Sequence, residues 1–287
     1  MRKNPSPICG DCGLINYMDP IIVIRGAGDI ATGVAIRLFR SGYRFVMIEL
    51  EQPLTVRRTV SFSEAIYTGQ TCVEDVIARK IGSIDDIPIS FLNNEIPIMV
   101  DEKLRILSTN KFHYAVLIDA RMEKKPPEIN YIKILPLVIG IGPGFTAGFD
   151  CHVVIESSRG HFLGHIYRKG TAHSDTGQPA GDPARILRAP VSGTIVTKAE
   201  IGDLLDSGQP IATIDEQNIL APFSGLLRGL IHSGVMVHKG LKIGDIDHST
   251  NSDLCRFVSD KAMAIGGSIL EVILSDTSIL PFQHRLN

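Results

Sequence analysis

The chain has 287 residues, 44% of them hydrophobic, and a formal net charge of -2 from 29 basic and 31 acidic residues. This length allows two domains with separate hydrophobic cores, and the balanced charge argues against non-specific binding to nucleic acid or to an anionic membrane surface. No apolar run reaches the roughly 20 residues of a membrane helix, and the first residues lack the apolar segment of a signal peptide. We therefore expect a cytoplasmic protein with no nucleic acid and no membrane among its partners.

The five cysteines do not form the pattern of a disulfide framework, because their number is odd and they are scattered along the chain. Cys9 and Cys12 form a C-x-x-C motif, but a structural zinc site usually needs a second such pair. We expect no metal and interpret residues 1–18 as a polar N-terminal arm in which the two thiols are incidental.

Residues 21–49 open a predicted domain that spans residues 19–148. The apolar run 21–24 predicts a buried strand, a turn with two glycines follows, and apolar residues at helical spacing predict a helix that ends at Gly42. A second apolar run, 45–48, ends in Glu49. This order is typical of a dinucleotide-binding βαβ unit, so the sequence predicts an α/β domain with a Rossmann-like parallel sheet.

The glycine turn has the chemistry of a pyrophosphate site. Gly26 permits a tight turn, Gly28 lets the backbone approach a phosphate, and the helix N-terminus attracts an anion. Glu49 is expected at the ribose hydroxyls. Two departures weaken the match, since Ala31 replaces the third glycine and the carboxylate of Asp29 repels a phosphate. The alternative is a doubly wound sheet whose turn only caps a helix.

The segment after the second strand supplies further candidate ligands. Arg57 and Arg58 lie where a nucleotide phosphate would be, although a solvated pair of arginines needs no ligand. Residues 62–67 and 72–81 are predicted as short helices.

Acids close two more predicted strands, 96–100 and 114–118. Ligands of open parallel sheets bind beyond the carboxyl ends of the strands, so Asp119 and Arg121 are candidates for a pocket lining. A loop carboxylate paired with a neighbouring arginine is an equally common arrangement.

A predicted strand at 135–141 leads into a turn rich in Gly and Pro, from Gly142 through Gly144 to Gly148. Such a turn exposes backbone N–H groups that can form an anion-binding nest. It could equally mark the boundary to a second domain.

That second domain is predicted at residues 149–250. Four of its histidines, His152, His161, His165 and His173, fall within 22 residues. A metal site there is one interpretation, but ligand spacings such as H-E-x-x-H are absent, so scattered surface or core histidines are favoured. The polar loop at 169–183 is long enough to be functional or a linker.

An internal repeat marks the second domain. Residues 189–215 return as 221–247, with nine identities at a constant offset of 32. Glycines and short apolar runs in each copy predict two similar β-units packed about a pseudo-twofold axis.

The repeat resembles the barrel-sandwich fold of biotinyl and lipoyl carrier domains. Those domains carry a modified lysine in the hairpin that joins the two halves, whereas here the hairpin reads Asp215-Glu216-Gln217-Asn218. We therefore expect no biotin and no lipoate.

Residues 251–287 are predicted to form a C-terminal helix and tail. Ser259 is the expected N-cap. The pair Gly266-Gly267 weakens a helix by about 2 kcal/mol, which indicates either a tight helix crossing or a ligand contact.

Several motifs in order resemble the YqeB family: GAGDIATG, PLTVRRTVSFSEA, VLIDARM, PLVIGIGPGFTAG, IESSRGHFLG, the APVSG barrel and SDKAMAIGG. The resemblance covers about Pro20 to Leu274. Proteins of this family are described as components of a selenium-dependent molybdenum hydroxylase system. The resemblance implies an accessory role, in maturing a molybdenum hydroxylase client enzyme or in supplying it with a modified cofactor.

The resemblance also implies which positions matter most, and the candidates for binding that cofactor are among them. The matched residues are Gly26, Gly28, Asp29 and Thr32, then Arg57, Arg58, Asp119 and Arg121, then Gly142 to Gly148, Arg159 and His161. Asp29 suits a pterin, whose amino groups are hydrogen-bond donors. The expected cofactor is a molybdopterin-type dinucleotide, which offers both a pyrophosphate and a pterin.

Two other functions stay open. An NAD(P)-dependent oxidoreductase would bind its nucleotide through Glu49 and use Asp119 or His161 as the acid or base. A non-enzymatic scaffold would bind no small molecule and would dock the hydroxylase through the barrel-sandwich surface. The sequence also leaves open whether the protein forms a homo-oligomer.

Overall fold

The computed structural model describes residues 20–174 and 182–276. In this part the chain is a mixed α/β protein, with a nine-stranded sheet, two four-stranded antiparallel sheets, a two-stranded ribbon and a C-terminal helix. The predicted α/β class is confirmed at this level. Cys9 and Cys12 lie outside the described residues, as does part of the loop at 169–183.

The nine-stranded sheet is mostly parallel, with strand order β10-β9-β7-β6-β1-β2-β5-β4-β3. Its members are β1 (Ile21–Arg25), β2 (Phe45–Glu49), β3 (Gln70–Val73), β4 (Val76–Lys80), β5 (Ile96–Val100), β6 (Tyr114–Asp119), β7 (Leu137–Ile141), β9 (Val153–Ile155) and β10 (Ile166–Tyr167). The outer strands β3 and β10 pair antiparallel to their neighbours. The seven strands between them in this order pair in parallel. The ribbon joins β8 (Thr146–Ala147) to β11 (Gly170–Thr171).

Alternation along the strands buries both faces of this sheet. Ile22 and Ile24 point into one hydrophobic core, and Ile21 and Val23 point into the other. Helices cover the strands as expected for a parallel sheet. They are α1 (Asp29–Arg40), α2 (Ala65–Thr68), α3 (Ile87–Leu92) and α4 (Asp260–Leu274). The strands predicted at 96–100, 114–118 and 135–141 are confirmed.

The prediction of a helix at 72–81 is wrong, because these residues form the hairpin β3–β4. Val76 and Ala78 are buried, whereas Ile77 between them is 37% exposed. This period of two is the strand pattern. Glu74 turns the chain with a φ of 53°.

The C-terminal helix begins where the sequence predicts, since the Ser259 hydroxyl accepts a hydrogen bond from the Ala262 N–H at 3.2 Å. It packs on α1 through small residues. A Cβ on Gly33 would lie 2.7 Å from Ala262, and one on Gly266 would lie 2.7 Å from the Gly33 carbonyl oxygen. Gly33 and Gly266 therefore serve the tight helix crossing, whereas a Cβ on Gly267 would have nothing within 4 Å.

The β-rich half holds two antiparallel sheets, ordered β12-β19-β17-β14 and β16-β15-β13-β18, around a shared hydrophobic core. The strands are β12 (Ile186–Arg188), β13 (Gly193–Thr197), β14 (Leu204–Leu205), β15 (Pro210–Ile214), β16 (Gln217–Leu220), β17 (Gly225–Leu230), β18 (Met236–Val237) and β19 (Lys242–Asp247). Strands β13, β14 and β15 begin 32 residues before β17, β18 and β19. The repeat in the sequence is thus a repeat of strands.

The large sheet reaches past the predicted boundary at residue 148, because β9 and β10 belong to it. Helix α4 also belongs with this sheet by its packing on α1. None of the helices in the described part of the chain is both long and apolar enough to cross a membrane.

Candidate functional site

The candidate site lies at the carboxyl edge of the nine-stranded sheet, where the order of the strands reverses. Strand β2 flanks β1 on one side and β6 flanks it on the other, with Arg25 opposite Asp119. The chain leaves β1 toward β2 and leaves β6 toward β7, on opposite sides of the β1–β6 pair, and we refer to the edge between these two loops as the crevice. Open parallel sheets bind their ligands at such a point.

The two glycines of the turn after β1 have different roles. Gly26 has a φ of +97°, which only glycine adopts easily, and a Cβ on it would lie 3.4 Å from the Ala120 carbonyl carbon. Gly28 has an ordinary φ of -68°. A Cβ there would meet only Thr55 Oγ1, at 3.7 Å. The fold therefore requires glycine at 26 but not at 28.

The side chain of Glu49, the last residue of β2, contacts this turn. Its Oε2 accepts a hydrogen bond from the Ala27 N–H at 2.7 Å, and Oε1 accepts one from the Leu50 N–H at 2.8 Å. Burial raises the pKa of Glu49, and the two hydrogen bonds oppose that rise. The acid predicted from the sequence is thus fixed against the glycine turn.

Thr32 is fully buried and connects α1 to the segment that begins at Phe62. Its hydroxyl accepts a hydrogen bond from the Phe62 N–H at 2.9 Å. The Ser63 N–H also binds the Ala27 carbonyl at 2.8 Å, and the Ser63 hydroxyl donates to Thr55 Oγ1 at 2.8 Å. These contacts bring the hydroxyls of Thr55 and Ser63, which the sequence did not single out, to the mouth of the turn.

Asp119 and Arg121 lie on the opposite wall and neutralise each other. The Arg121 guanidinium binds the Asp119 carboxylate at 2.8 Å and Glu123 at 2.7 Å, and Arg25 lies 3.7 Å from Asp119. Burial, the largest single effect, lowers the pKa of Arg121, but the hydrogen bonds to Asp119 and the charges of Asp119, Glu123 and Glu128 together outweigh it and raise the pKa. The carboxylate paired with a neighbouring arginine, left open by the sequence, is the arrangement found.

The glycines of the turn after β7 admit neighbouring backbone. A Cβ on Gly142 would lie 2.5 Å from Ser157 Oγ, and one on Gly144 would lie 2.5 Å from the Lys125 carbonyl oxygen. Both glycines have positive φ. The facing loop holds Met122 and Lys124 at φ values of 60° and 61°, a strained conformation for such side chains. The turn after β7 and this loop after β6 therefore pack closely against each other at the carboxyl edge.

Arg57 and Arg58 make their hydrogen bonds to the segment between β19 and α4 and to the β-rich half. Arg57 donates to the Leu254 carbonyl at 2.6 Å. Arg58 donates to the Leu230 carbonyl at 2.7 Å and pairs with Glu64 at 3.0 Å. The structure does not bring these two arginines to the glycine turn.

A buried carboxylate with an attached histidine ring lies further along the same edge. Glu156 follows β9 directly and is fully buried. It accepts hydrogen bonds from the N–H groups of Ser158 at 2.6 Å and His173 at 2.8 Å, and it lies 2.6 Å from Nδ1 of the His173 ring. The pairing of β7 with β9 places Glu156 at the carboxyl edge of the sheet. Because Glu156 and His173 are 17 positions apart, the sequence does not indicate that they are in contact.

Lys261 stands in the first turn of α4, near the crevice. Burial lowers the pKa of Lys261; the charges of Asp29 and Glu156 oppose this, and those of Arg159 and Lys124 reinforce it. Its ammonium thus lies in the electrostatic field of both Asp29, in the first turn of α1, and Glu156, after β9. Such a poorly solvated cation is suited to an anionic ligand.

The four histidines of residues 152–173 do not converge on one point. His152 Nδ1 accepts a hydrogen bond from the Val138 N–H at 2.9 Å. His161 and His165 pack against Phe162 edge to face, while His173 stacks on it. In residues 20–174 and 182–276, no group of three or more His, Cys, Asp or Glu side chains is placed to hold a metal ion.

A cleft of about 710 Å³ lies elsewhere, at the C-terminal end of α1. It separates the hairpin β3–β4 from the β-rich half, and its lining includes Arg40, Cys72, Glu74, Ile201 and Arg256. Volume alone does not define a site. The carboxyl edge combines strand reversal, a glycine turn, an acid and charged side chains, so we place the candidate site there.

The chain is similar to the uncharacterized protein YqeB of Escherichia coli (strain K12), to which it is 41% identical over 258 residues. The aligned part covers 88% of this chain and 47% of YqeB. The chain thus spans about half the length of the curated relative that it matches. No family model matches the chain. The similarity to YqeB that the motifs predict is confirmed over most of the chain.

Proposed function

We propose that the chain binds a nucleotide-bearing cofactor of the molybdopterin type in the crevice at the carboxyl edge. We propose further that it is an accessory protein in the maturation or cofactor supply of selenium-dependent molybdenum hydroxylases. The observation that carries the binding proposal is Gly28, because the fold does not need glycine there whereas a pyrophosphate does. The accessory role rests on the family resemblance of the motifs.

A Rossmann-like interpretation of the large sheet supports this proposal. Strand β1, the glycine turn, α1 and β2 follow one another as in dinucleotide-binding units, and β6 begins the second series of strands on the other side of β1. In that architecture the nucleotide lies across the carboxyl ends of the first strands of the two halves.

The residues present fit such a cofactor part by part. The first N–H groups of α1 lack acceptors within the helix and suit a pyrophosphate. Each oxygen of Glu49 accepts one hydrogen bond from the backbone and has capacity for a ribose hydroxyl. Asp29 suits the amino groups of a pterin, and Lys261 offers a counter-charge to phosphate. A molybdopterin cofactor, when bound, would supply the redox chemistry that its client enzyme uses.

We propose that the β-rich half is a barrel-sandwich module that docks the hydroxylase client. The exchange of strands supports this interpretation, since β14 pairs with β17 of the second copy and β18 pairs with β13 of the first. The hairpin after β15 presents Asp215, Glu216, Gln217 and Asn218, so the proposal includes neither biotin nor lipoate.

Glu49 favours a second candidate, an NAD-dependent oxidoreductase. A carboxylate at the end of β2 accepts hydrogen bonds from an unmodified ribose and repels a 2′-phosphate. We therefore expect NAD to bind in preference to NADP if the ligand is a nicotinamide nucleotide.

Native mass spectrometry tests the proposal with NAD, NADP, CTP and molybdopterin cytosine dinucleotide as probes. The variant is Gly28→Ala, whose methyl group the fold accommodates but which occupies the space of a pyrophosphate. The control is Gly267→Ala, because a Cβ at that position has nothing within 4 Å. We expect the pterin dinucleotide to bind the parent and Gly267→Ala, and to bind Gly28→Ala about tenfold more weakly, the loss of one good phosphate contact.

Equal affinity of Gly28→Ala and the parent for the pterin dinucleotide would contradict the proposed site. Binding of NAD alone would favour the oxidoreductase. Binding of none of the four probes would favour the scaffold.

A further inference from the structure

Glu156 and His173 form a hydrogen-bonded pair that the proposed cofactor binding does not use. The carboxylate is fully buried, whereas the histidine side chain is 53% exposed. Burial alone would raise the pKa of Glu156, but hydrogen bonds from the backbone and ring of His173 and from Ser158 outweigh burial and lower the pKa. The carboxylate is therefore ionised near neutral pH.

An ionised carboxylate fixes the chemistry of the ring. Since it can only accept hydrogen bonds, the Nδ1 atom 2.6 Å away must carry the proton. The other ring nitrogen, Nε2, then presents a lone pair in the neutral imidazole. His173 is thus held in one tautomer with its basic nitrogen on the outer side.

Two further contacts fix the orientation of the ring. The His173 N–H binds the same carboxylate at 2.8 Å, and the ring stacks on Phe162 with a centroid distance of 5.1 Å and an interplanar angle of 26°. Glu156 is itself anchored, because its N–H donates to the His165 carbonyl and its carbonyl accepts from the Gly164 N–H. A ring held at three points is preorganised for proton transfer.

We propose that His173 is an acid–base group, that Glu156 is its positioning residue, and that the chain carries out proton transfer on a ligand bound at the carboxyl edge. In this step His173 Nε2 takes a proton from a hydroxyl, water or ring N–H of the ligand, whose electron pair stays on the ligand. The resulting imidazolium is stabilised by the Glu156 carboxylate. The same Nε2 returns the proton in a later step, so no other reactant is consumed.

The position of the pair supports this role. Glu156 directly follows β9, which lies two strands from β6 in the sheet, and the ammonium of Lys261 experiences the charges of both Glu156 and Asp29. A ligand held between Asp29 and Lys261 would lie along the edge that leads to His173. This inference rests on the proposed site but not on the identity of the cofactor.

Nitrogen-15 NMR of the full chain tests the pair without any ligand. We expect neutral His173 to be the Nδ1–H tautomer. His152 is an internal control in the same spectrum, because its Nδ1 accepts the Val138 N–H and it must therefore carry its proton on Nε2. In Glu156→Gln we expect a mixture of tautomers at His173 and no change at His152. An Nε2–H tautomer at His173 in the parent would overturn the proposal.

Acylation by diethyl pyrocarbonate, read by peptide mass spectrometry, tests the basicity and position of Nε2. His161 is the comparison, since it lies in the same region and neighbours Phe162 without a carboxylate partner within the described part of the chain. We expect His173 to react at least fivefold faster than His161 in the parent, and the ratio to fall toward one in Glu156→Gln. Equal rates in the parent would overturn the proposal.

Protection by ligand separates an acid–base group from a merely structural pair. With molybdopterin cytosine dinucleotide or NAD bound, as established by native mass spectrometry, we expect acylation of His173 to slow at least fivefold. Acylation of His238, an exposed histidine that follows β18 in the β-rich half, should stay unchanged. A bound nucleotide that leaves the His173 rate unchanged would overturn the role at the ligand. If neither nucleotide binds, the proposed function fails, and the pair is judged by its tautomer and its reactivity.

Discussion

At the scale of single residues, Lys261 is a side chain whose charged form is disfavoured by the ligand-free fold. Burial lowers the pKa of its ammonium below the ordinary 10.5, so the folded state binds the proton less tightly than the unfolded state does. Removing the charge should stabilise the fold and weaken a site that binds anions, as is common where function and stability compete.

Replacement of Lys261 by Met is expected to raise the Tm at pH 7, by roughly 2–4 °C for each kcal/mol gained. The unfolded chain holds the lysine proton up to pH 10.5, whereas the folded chain releases it earlier. Between these two pKa values the stability of the parent rises with pH, so the advantage of Lys261→Met should shrink as pH approaches 10.5. Thermal unfolding at pH 7, 9 and 10.5 measures this.

Lys124→Met is the matched control, because it removes one of the cations that surround Lys261. The difference in Tm between Lys124→Met and the parent should not shrink as pH approaches 10.5, since the Lys261 ammonium stays in place. An advantage of Lys261→Met that is constant across the pH range would show that packing, and not charge burial, causes it.

The residues of the site were predictable from sequence to different degrees. Glu49 could be placed against the glycine turn, because strand, turn, helix and strand are contiguous and fix its position locally. Glu156 and His173 could not be paired, because their contact depends on where β9 joins the sheet and on the return of the chain through β10 and β11. Arg57 and Arg58 were assigned to the crevice by their position after β2, but they donate hydrogen bonds to the carbonyls of Leu254 and Leu230 instead.

At the scale of elements, the crossing of α1 and α4 depends on glycines that a helix otherwise disfavours. Gly266 faces the Gly33 carbonyl, whereas Gly267 faces open space. The adjacent pair therefore offers a matched test of what the crossing requires.

Gly266→Ala should destabilise the fold by about 1–3 kcal/mol, because its methyl group has no room against α1. Gly267→Ala should stabilise it by up to about 1 kcal/mol, since alanine is the better helix former. Urea unfolding of both variants beside the parent measures the difference. Similar changes in the two variants would show that helix propensity, and not the crossing, governs α4.

The hairpin β3–β4 shows why some elements could not be predicted. Val73, Val76 and Ile77 fit one face of a helix, and they also fit a strand interrupted by a two-residue turn. The turn at Glu74 and Asp75 contains no glycine, so the usual hairpin pattern is missing. The pairing of β4 with β5 is the long-range contact that favours the hairpin over the helix.

At the scale of the whole molecule, one segment connects the glycine turn to the β-rich half. Thr55 lies beside Gly28. The next residue, Val56, accepts a hydrogen bond from the Leu230 N–H at 2.8 Å, and Arg58 donates to the Leu230 carbonyl at 2.7 Å. Docking of the β-rich half therefore positions a residue that borders the candidate site.

Arg58→Met should loosen this connection without unfolding either half. The variant keeps an apolar stem but loses the hydrogen bond to Leu230 and the pair with Glu64, at a cost of about 1–3 kcal/mol. We expect faster hydrogen exchange at residues 55–63 and 225–232, and unchanged exchange in the central strand β6. Arg188→Met is the control, because it removes a hydrogen bond to Gly240 that lies entirely within the β-rich half. Unchanged exchange at residues 55–63 in Arg58→Met would mean that the segment is held by the large sheet alone, and that the β-rich half has no mechanical link to the glycine turn.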